Sequence, residues 1–168
     1  MASIVLRLWE TEARIGIRRA FTSAAFLAML SAPAIAADLP FGQHVSTGDQ
    51  QLVMKQLGPS VSDLNPKTDL DIAKVDLNGD GRPDYVVVIK NALYCGSAGC
   101  PTSVYLSHGN QYRNALPDLL AQGIALGNDS TDGVRDLMLD LRLQTAPARW
   151  TWNGTVYTAK PAQRVRQK

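Results

Sequence analysis

In the stretch KVDLNGDGRPDYVVVIK, residues 74–90, Asp76, Asn78, Asp80 and Asp84 crowd around Gly79 and Gly81 and directly precede a run of valines. Carboxylates this close repel one another unless a cation or a dense set of hydrogen-bond donors offsets their charge. Calcium suits such a set, because it takes oxygen ligands from alternating positions of a loop and needs a glycine where the backbone turns sharply. In that register Asp76, Asn78 and Asp80 stand at positions 1, 3 and 5, Gly81 at the turn, the Arg82 carbonyl at 7 and Asp84 at 9. One structural Ca2+ is therefore expected. The bidentate Glu that a helical EF-hand loop places at position 12 is here Val87, and both flanks are β-rich, so the loop belongs between strands. The bland alternative is a polar turn in which the same Asp and Asn side chains cap their own backbone.

The other chemistry-bearing residues are Cys95 and Cys100 in YCGSAGCPTS. A close pair flanking Gly96, Ser97, Ala98 and Gly99 forms a local disulfide in an oxidising compartment, the glycines letting the backbone fold tightly. Its contribution would be shape, since closing so short a loop adds only about 2 kcal/mol. A redox pair of the thioredoxin type would have two intervening residues, not four, and would sit in a βαβ pattern. No G-x-S-x-G, H-E-x-x-H or G-x-x-x-x-G-K-[ST] motif is present, and residues 37–168 contain no Glu. His44 and His108 are isolated in sequence. Trp150 and Trp152, with Tyr105, Tyr112 and Tyr157, alternate on strand-like segments; such residues form one side of a core or an exposed face for a sugar or a protein.

The segment DLNGDGRPDYVVV resembles the calcium loop of FG-GAP and VCBS-type repeats over residues 76–88. That resemblance implies a calcium held by Asp76, Asn78, Asp80, the Arg82 carbonyl and Asp84 between two strands. The chain is too short for a multi-bladed propeller, so neither the propeller nor its adhesive function is carried over. A weak internal repeat accompanies the motif. Asp80-Gly81-x-x-Asp84 matches Asp132-Gly133-x-x-Asp136 at an offset of 52, and Gly109 and Tyr112 match Gly154 and Tyr157 at an offset of 45. Asn128, Ser130, Asp132 and Asp136 fall on the calcium positions of the second copy, where the neutral Asn128 replaces the charged Asp76 and metal binding is expected to fail.

Several elements must position these residues. STGDQQLVMKQLGP predicts a helix with Ser46, Thr47 or Asp49 as N-cap and Gly58-Pro59 as its stop. Short apolar segments then follow, bounded by Gly, Asn, Asp and Pro, and they predict an antiparallel meander: DIAKVDL, DYVVVIK, TSVYLSH, QYRNAL, GIALG, DLMLDLRL, ARWTW and TVYTAK. LPDLLAQG reads as a second short helix or a turn. The fold expected is α+β, mainly an antiparallel meander with one N-terminal helix and two related hairpin units.

Residues 1–36 combine arginines, an apolar run and Ala34-Ile35-Ala36, the pattern of a cleavable signal peptide cut after Ala36. Arg18-Arg19 faintly resembles a twin-arginine signal, so Sec and twin-arginine export stay open. Residues 37–160 form the expected single domain, and 161–168 a basic tail. Residues 37–168 carry 13 Lys plus Arg against 13 Asp, which gives no general nucleic-acid footprint. No transmembrane segment is expected in the mature chain. The expected function is a periplasmic or secreted, non-enzymatic, calcium-stabilised binding or inhibitor module acting on an envelope protein. The alternatives are a small cell-wall hydrolase using Asp residues near the calcium, and a calcium-dependent polysaccharide-binding module using Trp150 and Trp152.

Overall fold

The computed structural model describes residues 37–116 and 119–160; the expected signal peptide and basic tail lie outside them. Helix α1 spans Thr47–Leu57, and a 3-10 turn follows at Pro59–Val61. Ser46 is the N-cap, and its hydroxyl accepts from the Asp49 N–H while the Asp49 carboxylate accepts from the Ser46 N–H. This reciprocal pair satisfies two of the donors a helix start leaves open.

Among the described residues nine strands follow: β1 Leu70–Val75, β2 Asp84–Ile89, β3 Cys100–His108, β4 Gln111–Asn114, β5 Leu119–Ala121, β6 Gly123–Thr131, β7 Val134–Asp140, β8 Ala148–Trp152 and β9 Tyr157–Ala159. They form two antiparallel sheets, β1-β2-β3-β4 and β6-β7-β8-β9, with β5 also paired to β3. The expected α+β meander is what the chain forms. LPDLLAQG differs from its reading as a helix or turn, since Leu119–Ala121 pairs with Cys100–Thr102 as a strand. The pairing shifts by two residues between β4 and β5, from Tyr105↔Asn114 to Thr102↔Leu119. This bulge carries Ala115 and Leu116, both fully buried.

The layers explain the residue patterns. Val53, Val61 and Leu64 pack on Leu70, Ile72, Tyr85, Val87, Ile89 and Tyr105, one face of the first sheet. Its other face, Ala73, Val86, Val104 and Leu106, shares a core with Leu137, Leu139, Trp152 and Tyr157 of the second sheet. Strand β2 is thus covered on both sides, which is why YVVVI reads as a continuous apolar run. Each such fully buried aliphatic side chain contributes about 1.5–3 kcal/mol.

The two sheets share a tyrosine contact at corresponding positions. Tyr112 donates its hydroxyl to the Pro83 carbonyl at 3.1 Å, and Tyr157 donates to the Arg135 carbonyl at 2.8 Å. In each unit the acceptor directly precedes the buried aspartate, Asp84 or Asp136. The expected pair of related hairpin units corresponds to the strand paths β1–β4 and β6–β9 of the two sheets.

Candidate functional site

The acidic loop joins β1 to β2 and is held by its own side chains. Asp76 accepts from the Gly79 N–H at 2.7 Å and the Gly81 N–H at 2.9 Å, Asn78 from the Asp80 N–H at 3.1 Å, and Asp80 from the Arg82 N–H at 2.8 Å. Gly81 stands at φ 78°, a left-handed conformation that costs a residue with a Cβ about 1–2 kcal/mol. The Arg82 N–H bond outweighs desolvation and, with the bonds from Ser107 and Asn78, lowers the Asp80 carboxyl below its usual range.

Asp84 occupies a different environment. It is fully buried, and its two oxygens accept from the Leu77 N–H and the Ser107 N–H, each at 2.7 Å. Burial raises its carboxyl above the usual range despite those bonds. Asp84 is therefore a strut that fastens the loop to β3, while Asp76, Asn78, Asp80 and Arg82 lie on the outer side.

Ser107 is the partner that the sequence does not reveal. Besides its N–H on Asp84, its hydroxyl donates to Asp80 at 2.9 Å and its carbonyl accepts from the Asn78 amide at 3.4 Å. It lies 23 to 29 positions from these residues, and only the β2–β3 pairing brings it near. The donor set is all oxygen and suits a hard divalent cation in type and spacing. Among the described residues, no group of three or more His, Cys, Asp or Glu is disposed to hold a metal, and the conformation described is that of a self-capped turn.

The second acidic turn is built differently. Asn128 and Ser130 belong to β6, Thr131 pairs with Val134, and Asp132-Gly133 closes a two-residue turn at φ 50° and 79°. Asp136 is fully buried and ion-paired to Arg149, which also holds Asp129 at 3.0 Å. A guanidinium thus sits among the carboxylates of this unit. Burial pushes the Tyr157 phenol up, and the charges of Asp84 and Asp136 push it further.

At the opposite end of β2, Cys95 and Cys100 form a disulfide with Cα atoms 4.3 Å apart. Gly96 and Gly99 exchange backbone hydrogen bonds across the loop. A Cβ on Gly99 would lie 2.2 Å from the Ala121 carbonyl oxygen, so only glycine lets the loop seat on β5. Ser97 is gripped from outside: Arg142 donates to its hydroxyl at 2.8 Å and the Gln122 amide donates to its carbonyl at 3.3 Å. Arg142 belongs to the β7–β8 connection, so the loops of both sheets meet here. Leu93, 87% exposed, and Leu143, 94% exposed, flank this contact in sequence. Leu143 also adopts φ 73°, an unfavourable conformation for a leucine.

Trp152 is buried against Tyr157 and Trp150 packs on the same core, so the aromatic face considered for sugar binding points inward. Arg113 stacks over the Trp152 ring at 5.0 Å. Ser107 and His108 are consecutive on β3 and project to opposite faces, which separates that hydroxyl from that imidazole. Among the described residues, no helix is long and apolar enough to cross a membrane. No protein-family model, curated protein or solved structure matches the chain.

Proposed function

We propose that the protein is an exported, non-enzymatic binding or inhibitor module that presents the end carrying the Cys95–Cys100 loop to an envelope protein, with one calcium as the structural ion of the loop at residues 76–84. The observation that carries this reading is the grip of Arg142 on Ser97. It joins a disulfide-closed loop of one sheet to a connection of the other, and so makes a stiff ridge from two elements that would otherwise move separately. Stiff ridges lose little entropy on docking. Large exposed leucines beside such a ridge are the kind of surface a partner covers.

Calcium has a supporting role here. Asp76, Asn78, Asp80 and the Arg82 carbonyl would hold it, with Asp84 as the strut behind, and the ion would offset the acidic charge and fix the exit into β2. Affinity capture from envelope extract tests the reading. A protein with Gly96, Ser97, Ala98 and Gly99 replaced by a flexible linker is expected to lose the partner that the wild type recovers. Unchanged recovery of every partner would sink the proposal. Turnover of cell-wall substrate would assign the protein to hydrolases instead.

A further inference from the structure

We propose that a groove running from Leu143 to the end of β9 receives an extended, acidic and apolar segment of the partner protein; this deepens the binding-module reading above and rests on it. The groove has a volume of about 870 Å³ and begins where the ridge ends, at Leu143, the residue after Arg142. A volume in this range is that of a ligand-binding cleft rather than a gap in packing.

Its chemistry selects the occupant. Met138, Leu143, Pro147 and Ala159 supply apolar surface, and Gln144 and Thr145 supply hydrogen-bonding groups at the same groove. A lipid chain would cover those amide and hydroxyl groups without pairing them, which costs free energy, whereas the amides of an extended peptide can satisfy them. The residues lining the groove include Arg149 and Lys160 and no carboxylate. Residues 141–160, which supply all of the lining but Met138, contain no Asp or Glu. Arg149 is offset by Asp136 and Asp129, but Lys160 at the groove and Arg142 at its head form no ion pair among the described residues. A carboxylate beside an apolar residue on the partner complements this arrangement, and a basic partner segment is repelled.

The face beneath the groove is also the one where the two sheets diverge. The positions that Ala73, Val86, Val104 and Leu106 fill with buried apolar groups correspond, at the repeat offsets, to Ala125, Met138, Arg149 and Thr151. The register places these four on the side of the second sheet away from the shared core. Two polar residues there exclude the docking of a further sheet, and they leave Met138 as an apolar floor residue for a smaller occupant.

Fluorescence anisotropy with the purified protein tests the proposal directly. The probe is a labelled octapeptide alternating Asp and Leu; the control carries Lys in place of Asp. The acidic peptide is expected to bind saturably and the basic one not. Lys160→Glu and, separately, Pro147→Asp, both at exposed positions, are each expected to weaken the acidic peptide at least tenfold. Equal binding of the two peptides, or equal affinity in the wild type and both variants, overturns the proposal. Saturable binding to phosphatidylglycerol vesicles without peptide binding overturns it too, by assigning the groove to anionic lipid. Envelope capture separates this idea from the one beneath it. A partner lost with the replaced cysteine loop but kept by the Lys160→Glu, Pro147→Asp double variant removes the groove and leaves the module reading standing. A partner kept by both proteins removes the module reading itself.

Discussion

Asp49 joins three parts of the structure at one carboxylate. It caps α1 with Ser46, accepts the Tyr85 hydroxyl from β2, and pairs with Lys74 of β1 at 3.0 Å. Burial alone would raise its carboxyl, but the bonds from Ser46, Tyr85 and Lys74 hold it well below the usual range. A lowered folded value means that stability from this group is present above the unfolded carboxylate range, near pH 3.9, and is lost as pH falls through the folded value. Asp49→Ala removes the capping-box acceptor of the Ser46 N–H and takes the carboxylate from a buried phenol, which together cost about 2–3 kcal/mol at pH 7. The difference in melting temperature between wild type and variant is expected to shrink as pH is lowered from 6 toward 2. A difference that stays constant over that range would show that the lowered carboxyl does not link to stability. Asp49 was one of three N-cap candidates in the sequence, and the cap falls to Ser46; its partners 25 and 36 positions away were not legible. Ser107 was hidden for the same reason: local spacing lists the residues of a turn and not those that a neighbouring strand brings against it.

At the scale of elements, periodicity and turn residues were enough wherever a segment's surroundings are simple. The helix ends where Gly58-Pro59 places it, and DYVVVIK contains the strand that its apolar run predicts. Leu119–Ala121 was harder, because three residues after a two-residue bulge show no period, and β3 alone makes them a strand. The acidic loop was legible as a set of oxygen donors, whereas the division between outer residues and a buried strut depends on β3. That division has a measurable consequence. Calcium at a hundred times its dissociation constant adds about 2.7 kcal/mol to the stability of a protein that binds it only when folded. Calorimetric titration of chelator-stripped protein, with melts in parallel, is expected to show heat and a raised melting temperature in the wild type and neither in Asp76→Ala. Absence of both in the wild type would leave the loop as a self-capped turn, held by the four hydrogen bonds that Asp76, Asn78 and Asp80 accept from it.

At the scale of the whole molecule, the repeat seen in the sequence has an energetic meaning that offsets of 52 and 45 could not convey. Each sheet alone leaves an apolar face open, and the cluster from Ala73 to Tyr157 closes both faces at once. The first sheet is capped on its other side by α1, and the second by Arg149 and Thr151, so the array stops at two sheets. Backbone bonds cross between the units as well: Arg135 N–H to the Leu77 carbonyl and Tyr157 N–H to the Ala115 carbonyl, each at 2.7 Å. The Leu77 residue that receives the first of these also donates its own N–H to Asp84, so the loop, the strut and the second sheet share one connection. Folding of residues 37–160 is therefore expected to be a single cooperative event. Trp150 and Trp152 report on the second sheet, and far-ultraviolet circular dichroism near 222 nm is weighted toward α1 on the far side of the first. Urea unfolding followed by tryptophan fluorescence and by that helical signal is expected to give one shared midpoint. Two separated midpoints would mean that the sheets are independently stable units, and the shared core would then be a contact between folded bodies rather than the condition for either to fold.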